Sequence, residues 1–140
     1  MTTQDITAAQ FNQTVTDNEI VLVDFWADWC GPCKAFAPTY AASSDKHPDV
    51  VHAKVDTEVE QGLAQAAEIQ AIPTLMAFKK GHMVFRHSGM LPAKELDAVI
   101  EKIREFDIDA AIAEQDAAEQ PDQALADGEA EAGAAEALRD

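Results

Sequence analysis

The first 106 residues predict a single α/β domain, with an acidic tail behind it, and three observations carry that prediction. Apolar, β-branched runs alternate with segments of helical composition in the order βαβαβαββα, the pattern of one mixed α/β unit. The only two cysteines, Cys30 and Cys33, stand three positions apart where a predicted strand hands over to a predicted helix. After Phe106 the composition turns to Ala, Glu, Asp and Gln, and aromatic residues vanish.

Taken in order, Ile6-Thr7 predicts a short first strand, with Thr7 as N-cap of an amphipathic helix through Ala8, Phe11 and Val15. Ile20 to Trp26 is continuous and apolar apart from Asp24, which predicts a strand buried on both faces. Lys34 to Lys46 contains no glycine and predicts a helix with a kink at Pro38, and Pro48 ends that unit. Val50 to Val55 has strand character, and Glu58 to Ile69 helical composition weakened by Gly62. Thr74–Phe78 and Met83–Phe85 flank Lys79-Lys80-Gly81-His82 as a hairpin. Pro92 in a first turn opens the last helix, which has Leu96, Val99, Ile100 and Ile103 on one face.

Charge divides the chain at the same place. Residues 1–106 hold 15 acids against 9 Lys and Arg, and residues 107–140 hold 11 acids against Arg139 alone, so the tail supplies most of the net −16. Such a segment cannot build a second core and is expected to be a solvated, disordered extension, at most helical over Ile108 to Glu119; a docking role for a partner is the alternative. The acidic balance argues against nucleic acid and anionic membranes as partners. Met1 to Thr16 is polar and mixed, with no charged-then-apolar leader, and no apolar run reaches 18 residues; the expectation is a cytoplasmic protein and a monomer.

The chemistry sits in Trp29-Cys30-Gly31-Pro32-Cys33-Lys34. On a first helical turn, residues i and i+3 share a face at roughly 5–6 Å between Cβ atoms, so the two sulfurs come within disulfide reach. A structural zinc site would need a second Cys or His pair at finger spacing, and His47, His52, His82 and His87 are scattered; no metal is expected. The thiolate is the reactive species, and a helix N-terminus offers it about half a positive charge and free N–H donors. That assigns Cys30 as the attacking sulfur and Cys33, inside the first turn and less accessible, as the resolving one. Gly31 permits close approach by a partner, and Pro32 fixes φ near −65° where an N–H would be unused.

The segment Val23-Asp24-Phe25-Trp26-Ala27-Asp28-Trp29-Cys30-Gly31-Pro32-Cys33-Lys34 resembles the active-site segment of the thioredoxin family. The likeness continues through Ala37-Pro38, Ala53-Lys54-Val55-Asp56, Ile72-Pro73-Thr74, Phe78-Lys79-Lys80-Gly81 and Ser88-Gly89, and covers roughly residues 4 to 106. It implies a central five-stranded mixed sheet flanked by four helices. It also implies a protein-disulfide reductase that cycles between dithiol and disulfide, with no bound cofactor of its own. Electrons would come from a thioredoxin reductase, and the NADPH and flavin belong to that partner; no nucleotide-binding glycine motif occurs in this chain.

Three further residues take roles from the resemblance. A carboxylate in an apolar strand is costly to ionise when buried, so Asp24 is either at a strand edge or, as the family implies, the proton acceptor of the resolving thiol. Lys54 matches the family's lysine near that carboxylate, the alternative being an ordinary surface lysine. Sequence alone favours trans for the Ile72-Pro73 bond; the resemblance implies cis, with the backbone at Ile72 exposed so that a substrate segment can pair with it. Trp29, Gly31, Pro32, Ile72 and Gly89 would form the docking patch, with Ala71 and Met90 departing from the commonest family pattern. A donor dedicated to one enzyme and a redox-inert interaction module are the competing functional classes; the intact cysteine pair disfavours the second.

Overall fold

In a computed structural model the residues described are 3–116, and the chain divides after Phe106 into two units. The first unit consists of β1 (Thr3–Asp5), α1 (Ala8–Asp17), β2 (Ile20–Trp26), α2 (Gly31–Lys46), β3 (Val51–Asp56), α3 (Gln61–Ala66), β4 (Thr74–Lys79), β5 (His82–Ser88) and α4 (Ala93–Glu105). The strands form one mixed sheet in the order β1-β3-β2-β4-β5, with β1 and β2 parallel to β3, β4 antiparallel to β2, and β5 antiparallel to β4. This is the five-stranded, four-helix arrangement that the resemblance implied.

Strand β2 is the centre of the sheet, and its alternation explains both layers. Ile20 and Leu22 face a core with Phe36 and Tyr40 of α2 and Leu96 and Ile100 of α4. Val21, Val23 and Phe25 face the opposite core with Val15 of α1 and, at its margin, Leu63 just inside α3. A strand covered on both faces reads as an unbroken apolar run. Burying Phe36, Tyr40, Leu96 and Ile100, each no more than 1 % exposed, stabilises the domain by about 1.5–3 kcal/mol per side chain. Asp24 shares its parity with Leu22. Its carboxylate therefore lies on the face that α2, the cysteine helix, covers.

Several boundaries differ from the sequence reading, each for a local reason. Strand β1 lies at Thr3–Asp5, paired with His52–Lys54 of β3, and not at Ile6-Thr7. Ile6 follows the strand, its N–H donating to the Lys54 carbonyl at 2.9 Å while its side chain is buried. Helix α3 has six residues where about twelve were expected. The Asp56 carboxylate accepts the Glu58 N–H at 2.9 Å and holds 57–59 as a turn, and Glu68 at φ 57° ends the helix. Pro92 is the N-cap of α4, with extended backbone, and its carbonyl accepts the Leu96 N–H. The hairpin turn is Lys80-Gly81 at φ 50° and 83°, the two-residue pattern whose twist matches its flanking strands.

Two buried polar side chains tie helices to the sheet. Lys79 is 5 % exposed, and its Nζ donates to the carbonyls of Ile103 (2.6 Å), Arg104 (3.0 Å) and Phe106 (2.8 Å). The last carbonyls of a helix lack intrahelical donors and carry partial negative charge, so this cation closes the end of α4 and pins it to β4. His52 lies between Ser43 Oγ and the Val50 carbonyl, both at 2.9 Å, against the ring of Tyr40. A carbonyl only accepts, so Nδ1 carries the proton and Nε2 accepts from Ser43. Burial holds the His52 pKa below its ordinary value.

In the second unit, positions 108–116 are helical and the Asp107 carboxylate accepts the Ala110 N–H at 3.0 Å. The expectations for the remainder of the tail, 117–140, fall outside the described residues.

Candidate functional site

The two cysteines are joined as a disulfide, Cα to Cα 5.2 Å, at the start of α2. Cys30 is the N-cap residue, with extended backbone, and its sulfur accepts the N–H of Cys33 at 3.2 Å. Gly31 and Pro32 fill the first two helical positions. The proline removes a donor that the helix would not use, and the N–H of Cys33, at the third helical position, points at the sulfur. Once the disulfide is reduced, that N–H and the helix N-terminus favour negative charge on Cys30. As whole residues the two are almost equally buried, 4 % and 3 % exposed; the difference expected between them lies in what they border. Cys30 lines a surface groove of about 510 Å³ together with Trp29, Gly31, Pro32, Ala71 and Ile72, and Cys33 does not.

On the other side of the pair, Asp24 is 1 % exposed, and its Oδ1 has no hydrogen-bond partner among the described residues. Burial pushes its pKa up from 3.8 to about 7, against the opposing pull of the Lys54 charge. Lys54 stands opposite Asp24 in the β2–β3 register, and its ammonium lies 4.7 Å from the centre of the Trp26 ring. The half-buried Lys54 also lines a small cleft with Trp26, Asp56 and Glu60. The arrangement is a carboxyl group half ionised near neutral pH, on the sheet face beneath the cysteine helix, with a cation beside it. A group with that pKa can take or give a proton without a large driving force in either direction.

The groove itself is apolar and ends on backbone. Trp29 is 68 % exposed next to Cys30, and its indole N–H donates to Glu58 Oε2 at 3.2 Å. The Ile72 carbonyl oxygen lies 3.7 Å from Cys30 Sγ, and the Ile72-Pro73 peptide bond is cis. Gly89 sits at φ 102° and donates its N–H to the Pro73 carbonyl at 2.7 Å. At that φ a side chain would be strained, so glycine is required there. Trp29, Gly31, Pro32 and Ile72 are thus brought together around Cys30, and Gly89 joins them through Pro73.

Sequence reasoning missed Glu58 and Thr57. Thr57 clasps the end of β2, its N–H and Oγ1 reaching the Trp26 carbonyl at 2.9 and 3.0 Å. Glu58 lies 29 positions from Trp29, and nothing local in the sequence links them. Among the described residues, no group of three or more His, Cys, Asp or Glu is placed to hold a metal ion.

Comparison with known proteins agrees with this geometry. The family model named Thioredoxin matches residues 2–102. The chain is 50 % identical over 118 residues to "Putative thioredoxin 2" of Streptomyces coelicolor, covering 82 % of this chain and 88 % of that protein. It is 38 % identical over 99 residues to Thioredoxin-1 of Saccharomyces cerevisiae, covering 71 % of this chain and 96 % of that one. Among solved structures, a point mutant of thioredoxin from Halobacterium salinarum superposes with a TM-score of 0.69 at 31 % identity, covering 72 % of this chain and 89 % of the other.

Proposed function

The chain belongs to the thioredoxin family, and we propose a division of labour within its cysteine pair. The protein is a thiol–disulfide oxidoreductase that reduces disulfides through the Cys30–Cys33 pair, without a bound cofactor. In the proposed sequence the Cys30 thiolate attacks one sulfur of a substrate disulfide. The substrate S–S bond breaks, a mixed disulfide forms, and the departing thiolate takes up a proton. Cys33, losing its proton to Asp24, then attacks the Cys30 sulfur. The mixed disulfide breaks, the Cys30–Cys33 bond forms, and the second substrate sulfur leaves as a thiolate that takes up a proton. Two electrons pass to the substrate.

One observation carries this assignment: Cys30 both accepts the Cys33 N–H at its sulfur and borders the groove, and Cys33 borders none of it. The pKa of about 7 at Asp24, on the α2 side of the sheet, supports its role as proton acceptor, and Lys54 supports it by favouring the ionised form. Gly89 holding Pro73, with the Ile72 carbonyl beside Cys30, supports a docking edge for an extended substrate segment in which Trp29, Gly31 and Pro32 supply the apolar contacts.

The family implies a thioredoxin reductase as electron source and disulfide-bearing proteins as substrates. We assign this chain a reducing compartment, the cytoplasm, because the pair must be kept as a dithiol to act as a reductant, and a monomeric state. Among the described residues no helix is long and apolar enough to cross a membrane. The direct test is NADPH-coupled reduction of insulin, with and without added thioredoxin reductase. Turnover that depends on the reductase and is abolished by Cys30→Ser is expected; reductase-dependent turnover that persists in Cys30→Ser would overturn the assignment. A donor dedicated to one enzyme would reveal itself by failing on insulin while oxidising rapidly with its own partner.

A further inference from the structure

We propose that Arg86, on the strand at the far edge of the sheet, is a positioning residue for protein substrates: it holds the wall of the docking groove in the shape that an extended substrate must meet. The inference rests on the reading that this groove receives the substrate segment.

The wall begins where α3 ends. Its last turn closes with the Ile69 N–H on the Ala64 carbonyl and the Glu68 N–H on the Gln65 carbonyl, both at 3.0 Å. This closure requires its terminal residue in the left-handed region, normally a glycine. Here that residue is Glu68, at φ 57°. A side chain in this conformation is disfavoured, so the closure is not self-sustaining to the degree a glycine would make it. Arg86 supplies the remainder. Its Nη1 donates to the Ala67 carbonyl at 2.7 Å and its Nη2 to the Glu68 carbonyl at 2.6 Å.

One planar guanidinium thus grips two successive carbonyls at the negative end of a helix, where a cation is favoured. Beyond the clamp the chain runs directly through Ile69 to Ile72 along the groove, and the Ala71 carbonyl is held from the far side by Thr74 Oγ1 at 2.5 Å. The segment that presents its backbone to substrate is therefore fixed at both ends, and Arg86 is the end that depends on an exposed side chain. The clamp touches neither sulfur. Arg86 stands opposite Met76 in the β4–β5 register, on the α3 side of the sheet, whereas Asp24 lies on the α2 side. Loosening the clamp should reduce preorganisation for a long substrate and leave the cysteine chemistry alone.

The test compares two oxidants of the fully reduced, full-length protein by stopped flow: insulin, which needs the groove, and the small aryl disulfide DTNB, which needs only the sulfur. Arg86→Gln should lower the second-order rate constant with insulin about tenfold, the loss of roughly one charge-assisted hydrogen bond's worth of order. The rate with DTNB should change less than twofold, and the reduction potential of the pair should be unchanged. Arg86→Lys, which keeps the charge but cannot grip both carbonyls, should recover part of the insulin rate; if Arg86→Gln fails to fold, this variant carries the same comparison. An insulin-to-DTNB rate ratio equal to that of the unmodified protein would overturn the proposal. So would a parallel fall in both rates, or a shifted potential, since Arg86 would then act on the disulfide or on the fold as a whole. An unmodified protein that reduces DTNB but not insulin would instead strike the docking reading on which the proposal stands.

Discussion

Replacing Asp24 by Asn should stabilise the protein, and by an amount that grows with pH. The folded state holds this carboxyl at a pKa of about 7, whereas its unperturbed value is 3.8. Between those values the folded chain keeps a proton that the unfolded chain has released. Stability from this group is therefore full below pH 4 and is lost as pH rises through 7. At about 1.4 kcal/mol per unit, the loss at pH 8 is roughly 4 kcal/mol, and at pH 5 it is about 1.5 kcal/mol. Asparagine carries no charge to desolvate and should gain nearly those amounts. Urea unfolding of the oxidised protein and of Asp24→Asn at both pH values measures the two gains. Burial of His52 adds a pH dependence of opposite sign, because its depressed pKa costs stability as pH falls below its unfolded value, but that contribution is common to both proteins and cancels in the difference. A gain that is absent, or equal at pH 5 and pH 8, would refute the argument that burial of an ionisable carboxyl sets the cost. The same variant should release mixed disulfides more slowly, and a normal release rate would remove Asp24 from proton transfer.

Three other outcomes are expected. In the reduced protein at neutral pH, iodoacetamide should modify Cys30 well before Cys33; peptide mass mapping that finds equal rates, or the reverse order, would exchange their roles. Lys79→Met should cost roughly 2–3 kcal/mol in urea unfolding, because three carbonyls at the end of α4 lose a buried charged donor, and a loss below about 0.5 kcal/mol would show that water or the helix itself replaces it. Deleting residues 107–140 should leave the thermal transition of the first unit in place and insulin reduction within twofold, because the cysteines, Asp24 and the groove all precede Phe106; loss of either would move the functional boundary into the tail.

What could be read from the sequence was whatever leaves a local trace. The covered strand β2 appears as an apolar run, and Asp24 stands out because it interrupts that run. The cysteine spacing places both sulfurs on one helical turn, with Pro32 where a donor is not needed. Contacts that close across distance leave no such trace. Lys79 looks like a turn lysine until α4 returns its last carbonyls to it, and Arg86, just past the strand read at Met83–Phe85, carries no local sign that the end of α3 arrives beside it. The length of α3 was misjudged for a similar reason: Glu58, Val59 and Glu60 suit a helix by composition, but Asp56 captures the N–H groups that would start one. The cis bond before Pro73 came from the resemblance and not from local propensity.

That Cys30 attacks and Cys33 resolves is tested most directly by trapping. Cys33→Ser, reduced and mixed with insulin, should accumulate a covalent adduct that survives alkylation and falls apart with dithiothreitol. Mapping by mass spectrometry should find every adduct on Cys30. The converse variant, Cys30→Ser, should accumulate little. Adducts that build up on Cys33 in Cys30→Ser while Cys33→Ser stays free would contradict the assignment and invert the mechanism.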